Sequence, residues 1–222
     1  MSKRDWFRKT SWSPEDEQDF YYRLKRARTD STKAQYLRIQ AYHLVHDARP
    51  PLPSSALRLL NHLINEFPDS FQIAQALKQK AACMEMLSQK DEVILTFRQA
   101  IAHELAFPNV KTGVTVDFPF YIVEKGLTEL YDEAWDILDR DKLAIVPNGT
   151  SPFPITRFRF NTAAALILNH KKKPSLAREH ALKALEDAST RHSDFNRHKD
   201  LGLVTDIPDQ LLRKLKVLAS KS

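Results

Sequence analysis

The stretch from Leu77 to Ala100, LKQKAACMEMLSQKDEVILTFRQA, limits what this chain can fold into more than any other. Leu77, Ala81, Met84 and Leu87 recur at helical spacing on one face, while Lys78, Gln79 and Glu85 point elsewhere. Ser88-Gln89-Lys90-Asp91 interrupts that pattern, and Asp91 stands where it can cap a second helix with Val93, Phe97, Ala100 and Ile101 on one face. The spacing predicts two antiparallel helices joined by a tight turn. Ala81 and Ala100 allow the helices to cross closely, with Leu77 and Phe97 filling the space around the crossing.

The same spacing recurs. Tyr131-Asp132-Glu133-Ala134 opens another second helix, continued by Trp135 and Leu138. Asn161, Ala164, Ala165 and Leu168 fit a first helix, followed by Ala177, Ala181 and Ala184 on a second. Nearer the start, Leu37, Ala41 and Leu44 precede Ala56, Leu60, Leu63 and Pro68, with about three extra residues in the turn. Over residues 34 to 191 this pattern resembles the tetratricopeptide repeat, a helix-turn-helix unit of about 34 residues with a small residue in each helix. The repeats are degenerate: Ala41, Ala81, Ile122 and Ala165 stand at the family's glycine position, and only Pro68 stands at its terminal proline. An irregular helical bundle is the alternative, since Ala and Leu at helical spacing serve any bundle.

Composition agrees with an all-α chain. Only 4 of 222 residues are Gly, 42% are hydrophobic and 28% charged, which suits helices better than a turn-rich sheet protein. The expected architecture is an N-terminal arm and helix over residues 1–30, about four hairpins over 31–191, and a loop with a capping helix over 192–222, all in a single domain. The single cysteine, Cys83, excludes an internal disulfide, and no apolar run is long enough to cross a bilayer. The opening MSKRDWFRKTSW is charged where a secretory leader would be apolar, so the expected location is cytoplasmic.

Local signals mark the connections. Ser13-Pro14-Glu15-Asp16 is a helix start, with a capping serine, a proline at the first position and acids at the positive end of the dipole. Trp6, Phe7 and Trp12 lie among Lys3, Arg4, Arg8 and Lys9 in the arm and are expected to dock on the first helices. Arg49-Pro50-Pro51-Leu52-Pro53 reads as a stiff connector within the first hairpin, and 147–154 as a loop. Asn109 to Asp117, with its β-branched alternation, reads as a break holding a short extended piece. Leu211, Leu212, Leu215 and Leu218 form an amphipathic last helix suited to cover the apolar end of a repeat array.

No catalytic arrangement emerges, and the chain is expected not to be an enzyme. The eight histidines contain no HExxH pattern. His43, His46 and Asp47 fall short of three or four converging ligands, and His103-Glu104 reads as a surface pair. Four scattered glycines leave no phosphate loop, and Cys83 lies on an apolar face as a buried thiol. No cofactor or metal is implied.

The tetratricopeptide resemblance implies instead a concave groove lined by first helices. Its groove-facing positions fall on Gln35, Arg38 and Tyr42, on Gln75, Lys78 and Gln79, and on Arg159 and Thr162. The implied function is an adaptor or scaffold holding a protein or acidic peptide in that groove through charge-assisted hydrogen bonds. The alternative is association with nucleic acid, because charge is uneven. From Arg157 onward there are 14 Lys and Arg against 7 Asp and Glu, including Lys171-Lys172-Lys173, and Trp6 and Trp12 could stack bases.

Overall fold

The computed structural model describes residues 5–145, 151–193 and 198–220, with 141–145 described by their backbone alone. Lys3 and Arg4, the first half of the expected loop at 147–154, and Phe195, Asn196 and Arg197 therefore lie outside the described residues. Among the described residues every regular element is helical. The chain divides into two compact units, Met1–Val114 and Thr115–Ser222.

The first unit carries α1 (Pro14–Lys25), α2 (Asp30–His46), α3 (Pro53–Glu66), α4 (Ile73–Met86) and α5 (Lys90–Ala106). α1 starts on a reciprocal cap: Ser13 Oγ accepts the Asp16 N–H at 3.2 Å, and Asp16 Oδ2 accepts the Ser13 N–H at 3.1 Å. That backbone bond, with Lys9 beside it, draws the Asp16 carboxyl down to about 2. The arm's aromatic rings are packed on the helices. Trp6 lies against Phe20 and Tyr36 with ring centroids 5.3 and 5.0 Å away, and Trp12 lies 5.4 Å from Phe20. Each helix folds back on the one before: α2 packs on α3, α3 on α4 and α4 on α5, and α2 also meets α4.

Two connections depart from what the sequence predicts. Gln89, without a side-chain bond, occupies the cap position of α5, so Asp91 lies inside the first turn. Ser88, in the left-handed region at φ 61, makes the reversal. The β-branched run at 114–116 is not extended but opens a helix, α6 (Val114–Lys125), directly after Gly113 turns the chain at φ 75. Val114, Thr115 and Val116 are all buried there, so packing outweighs their preference for strand.

The second unit carries the rest of α6, a short 3₁₀ turn (Thr128–Leu130), α7 (Tyr131–Ile145), α8 (Pro154–His170), α9 (Pro174–Ser189) and α10 (Asp209–Ser220). α8 and α9 cross on small residues. Ala165, Ala181 and Ala184 meet Phe158, and Leu215 and Leu218 of α10 close the same cluster. Trp135 of α7 packs on a neighbouring cluster of Ala164, Leu168 and Ala177. Burying a Leu side chain stabilises by about 1.5–3 kcal/mol, so the apolar stripe of α10 accounts for its seat on α8 and α9. Between α9 and α10 the chain returns to the start of α8, where the Gly202 carbonyl accepts the Ile155 N–H at 2.8 Å.

Candidate functional site

In the first unit α2 and α4 bring six of the expected groove residues onto neighbouring helices. Gln35 and Tyr42 are exposed, and Tyr42 stacks on His46 with ring centroids 4.2 Å apart. Gln75 and Gln79 are half-buried, and Gln79 Oε1 is buried with no hydrogen-bond partner among the described residues. Arg38 is half-buried as well. Its Nε donates to Gln72 Oε1 at 2.5 Å, at the start of α4. Burial alone lowers the Arg38 pKa, and no carboxylate pairs with it among the described residues. On α4, Lys78 Nζ donates to the Thr112 carbonyl at 2.6 Å, just before α6.

Arg159 and Thr162 belong to the second unit. Arg159 Nη1 donates to Asp117 Oδ1 of α6 at 2.6 Å, and its guanidinium lies 5.6 Å from the Phe120 ring centroid. Thr162 is fully buried, and its hydroxyl has no hydrogen-bond partner among the described residues. It lies inside the α8 packing and not on an open wall. Nearby, Arg157 Nε donates to Asp187 Oδ1 at 2.7 Å, and Asn161 links Asp187 to His180. This polar chain ties α8 to α9.

A cavity of about 560 Å³ opens in the second unit, between the Thr128–Tyr131 corner, the end of α8 and α10. Leu166, Val217 and Leu218 supply its apolar surface, and Tyr131 meets His170 edge-to-face at 5.1 Å. Burial raises the Tyr131 pKa, with Glu129 acting in the same direction. Asn169 and Gln210 add carboxamides, while Arg213 and Lys214 of α10 add two cations. Among the described residues no acidic side chain lines the cavity. Its residues come from three segments far apart in sequence, so the sequence carries no local sign of it beyond two cations beside a leucine stripe.

Other polar groups highlighted by the sequence serve packing. Glu104 is buried and not a surface group: its Oε2 accepts the Thr112 N–H at 2.9 Å and the Thr112 hydroxyl at 2.6 Å, because the turn after α5 folds back over it. His103 stacks on Phe107 at 4.7 Å. Lys171 pairs with Asp132, and Lys172 turns the chain at φ 58, so the lysine triplet forms the α8–α9 corner. Burial pushes the Cys83 thiol up to about 12, far from a reactive thiolate. Among the described residues no group of three His, Cys, Asp or Glu side chains is placed to hold a metal ion, and no helix is long and apolar enough to cross a membrane. No protein-family model matches the chain, and no curated protein or solved structure matches it.

Proposed function

We propose that this chain is a non-enzymatic adaptor of tetratricopeptide-like build that holds a protein through an acidic peptide laid along α2 and α4. The repeat reading is supported by a shared register. Arg38 and Lys78, at equivalent positions, each bond 34 residues ahead, to Gln72 and to Thr112 at the approach to the next first helix. The observation that carries the binding reading is Arg38 itself. It is a half-buried guanidinium held by a neutral carboxamide and paired with no carboxylate among the described residues, and burial is the sole cause of its lowered pKa. An acidic side chain would supply the missing charge through a bidentate bond, a geometry Arg favours. Tyr42 and Gln35, exposed on the same helix, and Gln75 on α4 flank it.

The test is calorimetric titration with glutamate-rich peptides against the wild type and Arg38→Gln. The variant keeps a donor for Gln72 and loses the charge, and affinity should fall about tenfold. Equal affinity would remove the assignment. Tight, steeply salt-dependent binding of short RNA in place of the peptides would move the chain to the nucleic-acid class. The packing of Trp6 and Trp12 against Phe20, and the pairing of Lys171 with Asp132, argue against that outcome.

A further inference from the structure

The cavity under α10 belongs wholly to the second unit and does not rest on the α2–α4 reading. Three of its properties define a ligand. The apolar part, Leu166, Val217 and Leu218, needs a hydrophobic group, since a cavity lined by such residues gains by expelling water. The charged part is Arg213 and Lys214, one exposed turn of α10. Arg213 Nε reaches only the Asp209 carbonyl, at 3.4 Å, and Lys214 has no ion-pair partner among the described residues. Arg157, Arg159, Lys171 and Lys183 of this unit are each paired with a carboxylate, whereas Arg178, like Arg213, reaches only a backbone carbonyl among the described residues, that of Ala219, and does not line the cavity. The uncharged polar part is Asn169 and Gln210, whose side-chain amides have no partner among the described residues. Each carboxamide offers a donor and an acceptor, the same pair that one peptide unit presents.

We propose that this cavity is a second binding site, which takes an extended peptide presenting one apolar side chain beside acidic residues. The apolar side chain enters against Leu166 and Leu218, the neighbouring carboxylate meets Arg213 and Lys214, and the peptide backbone is held by Asn169 and Gln210. A purely aliphatic anion would leave the oxygens of both carboxamides without donors, and the bases of RNA carry no aliphatic group for the leucines. The volume of about 560 Å³ falls within the range of about 300–1,000 Å³ typical of sites for compact ligands.

The probe is a short fluorescein-labelled peptide centred on glutamate–leucine–glutamate, followed by fluorescence anisotropy with the full chain. Binding should weaken at least about tenfold in the double variant Arg213→Glu, Lys214→Glu, and by a comparable factor when alanine replaces the central leucine of the probe. These comparisons are made in the Arg38→Gln background, which removes the α2–α4 wall as a competing site for an acidic probe; there Lys216→Glu, on the same helix but outside the cavity, should leave binding unchanged. All four positions are at least partly exposed, so matching thermal melts by circular dichroism confirm that the variants fold. Insensitivity to the double variant, equal binding of the alanine-centred or a lysine-flanked probe, or displacement by short RNA at equal concentration would each overturn the proposal. Loss of binding in Arg38→Gln alone would place the peptide on the α2–α4 wall instead.

Discussion

Gln40 holds the backbone of Lys9 at both ends: its Oε1 accepts the Lys9 N–H at 2.9 Å, and its Nε2 donates to the Lys9 carbonyl at 2.7 Å. Gln40 is fully buried on α2, and Lys9 lies 31 residues earlier, in the arm. A buried side chain satisfied by two backbone groups of a distant segment fixes where that segment runs. The arm's rings then pack on Phe20 and Tyr36 because the backbone beside them is pinned.

Replacing Gln40 with Met keeps the side-chain length and removes both bonds. The expected cost is about 1–3 kcal/mol, since the Lys9 groups lose their partners next to the core. Urea unfolding measures the loss, and tryptophan emission should shift to the red as Trp6 and Trp12 loosen. Unchanged stability together with unchanged emission would mean that the aromatic contacts hold the arm alone.

The first unit was the more legible part of this fold. Ser13 and Asp16 announce α1 because a capping box is a local device, and Ala81, Ala100 and the leucines between Leu37 and Leu63 announce α2 to α5 because core spacing is periodic. The start of α6 was hidden for the opposite reason: Val114, Thr115 and Val116 favour strand locally and are overruled by burial that no window of sequence shows. The site divides the same way. Arg38 and Lys78 could be placed on helix faces, but not their bonds to Gln72 and Thr112, each 34 residues away. Thr162 shows the limit of a position-by-position resemblance, since it shares the expected register and lies fully buried. The cavity beneath α10 joins residues from 128 to 218, and two cations beside a leucine stripe are its one local sign in the sequence.

Gly202 and Gly126 separate two reasons for glycine. Both have positive φ, 72 and 69, so alanine at either position costs backbone strain of about 1 kcal/mol. At Gly126 an added Cβ meets nothing within 4 Å, whereas at Gly202 it would lie 2.6 Å from Phe153 Cδ1. Gly202→Ala should therefore destabilise by about 1–3 kcal/mol more than Gly126→Ala, because the loop bearing the Ile155 bond must retreat from the ring. Parallel denaturant titrations of the two variants check this. Equal losses would show that Phe153 swings aside at little cost.

The chain Arg157–Asp187–Asn161–His180 predicts an acid sensitivity with a definite sign. Asn161 Oδ1 lies 2.9 Å from His180 Nδ1, while Asn161 Nδ2 donates to Asp187 Oδ2 at 3.3 Å. Burial lowers the His180 pKa from its ordinary 6.5, Lys183 lowers it further, and Glu179 opposes both. The unfolded chain thus takes the proton before the native chain does, and stability falls as pH drops from about 6.5 toward the lower native value. Asp187 acts in the other direction. Burial raises its pKa above 3.8 although Arg157 and Asn161 pull against the shift, so in more acidic solution the native chain takes that proton first and part of the stability returns. Burial also lowers the pKa of His46 and His103 in the first unit, so the informative quantity is the difference between the wild type and His180→Gln. Glutamine offers Asn161 a donor and does not titrate. Urea midpoints at pH about 7 and about 5 should fall less for this variant than for the wild type. Identical slopes would mean that His180 is protonated as readily in the native state as in the unfolded one, and that the hydrogen-bonded chain between α8 and α9 is open to water.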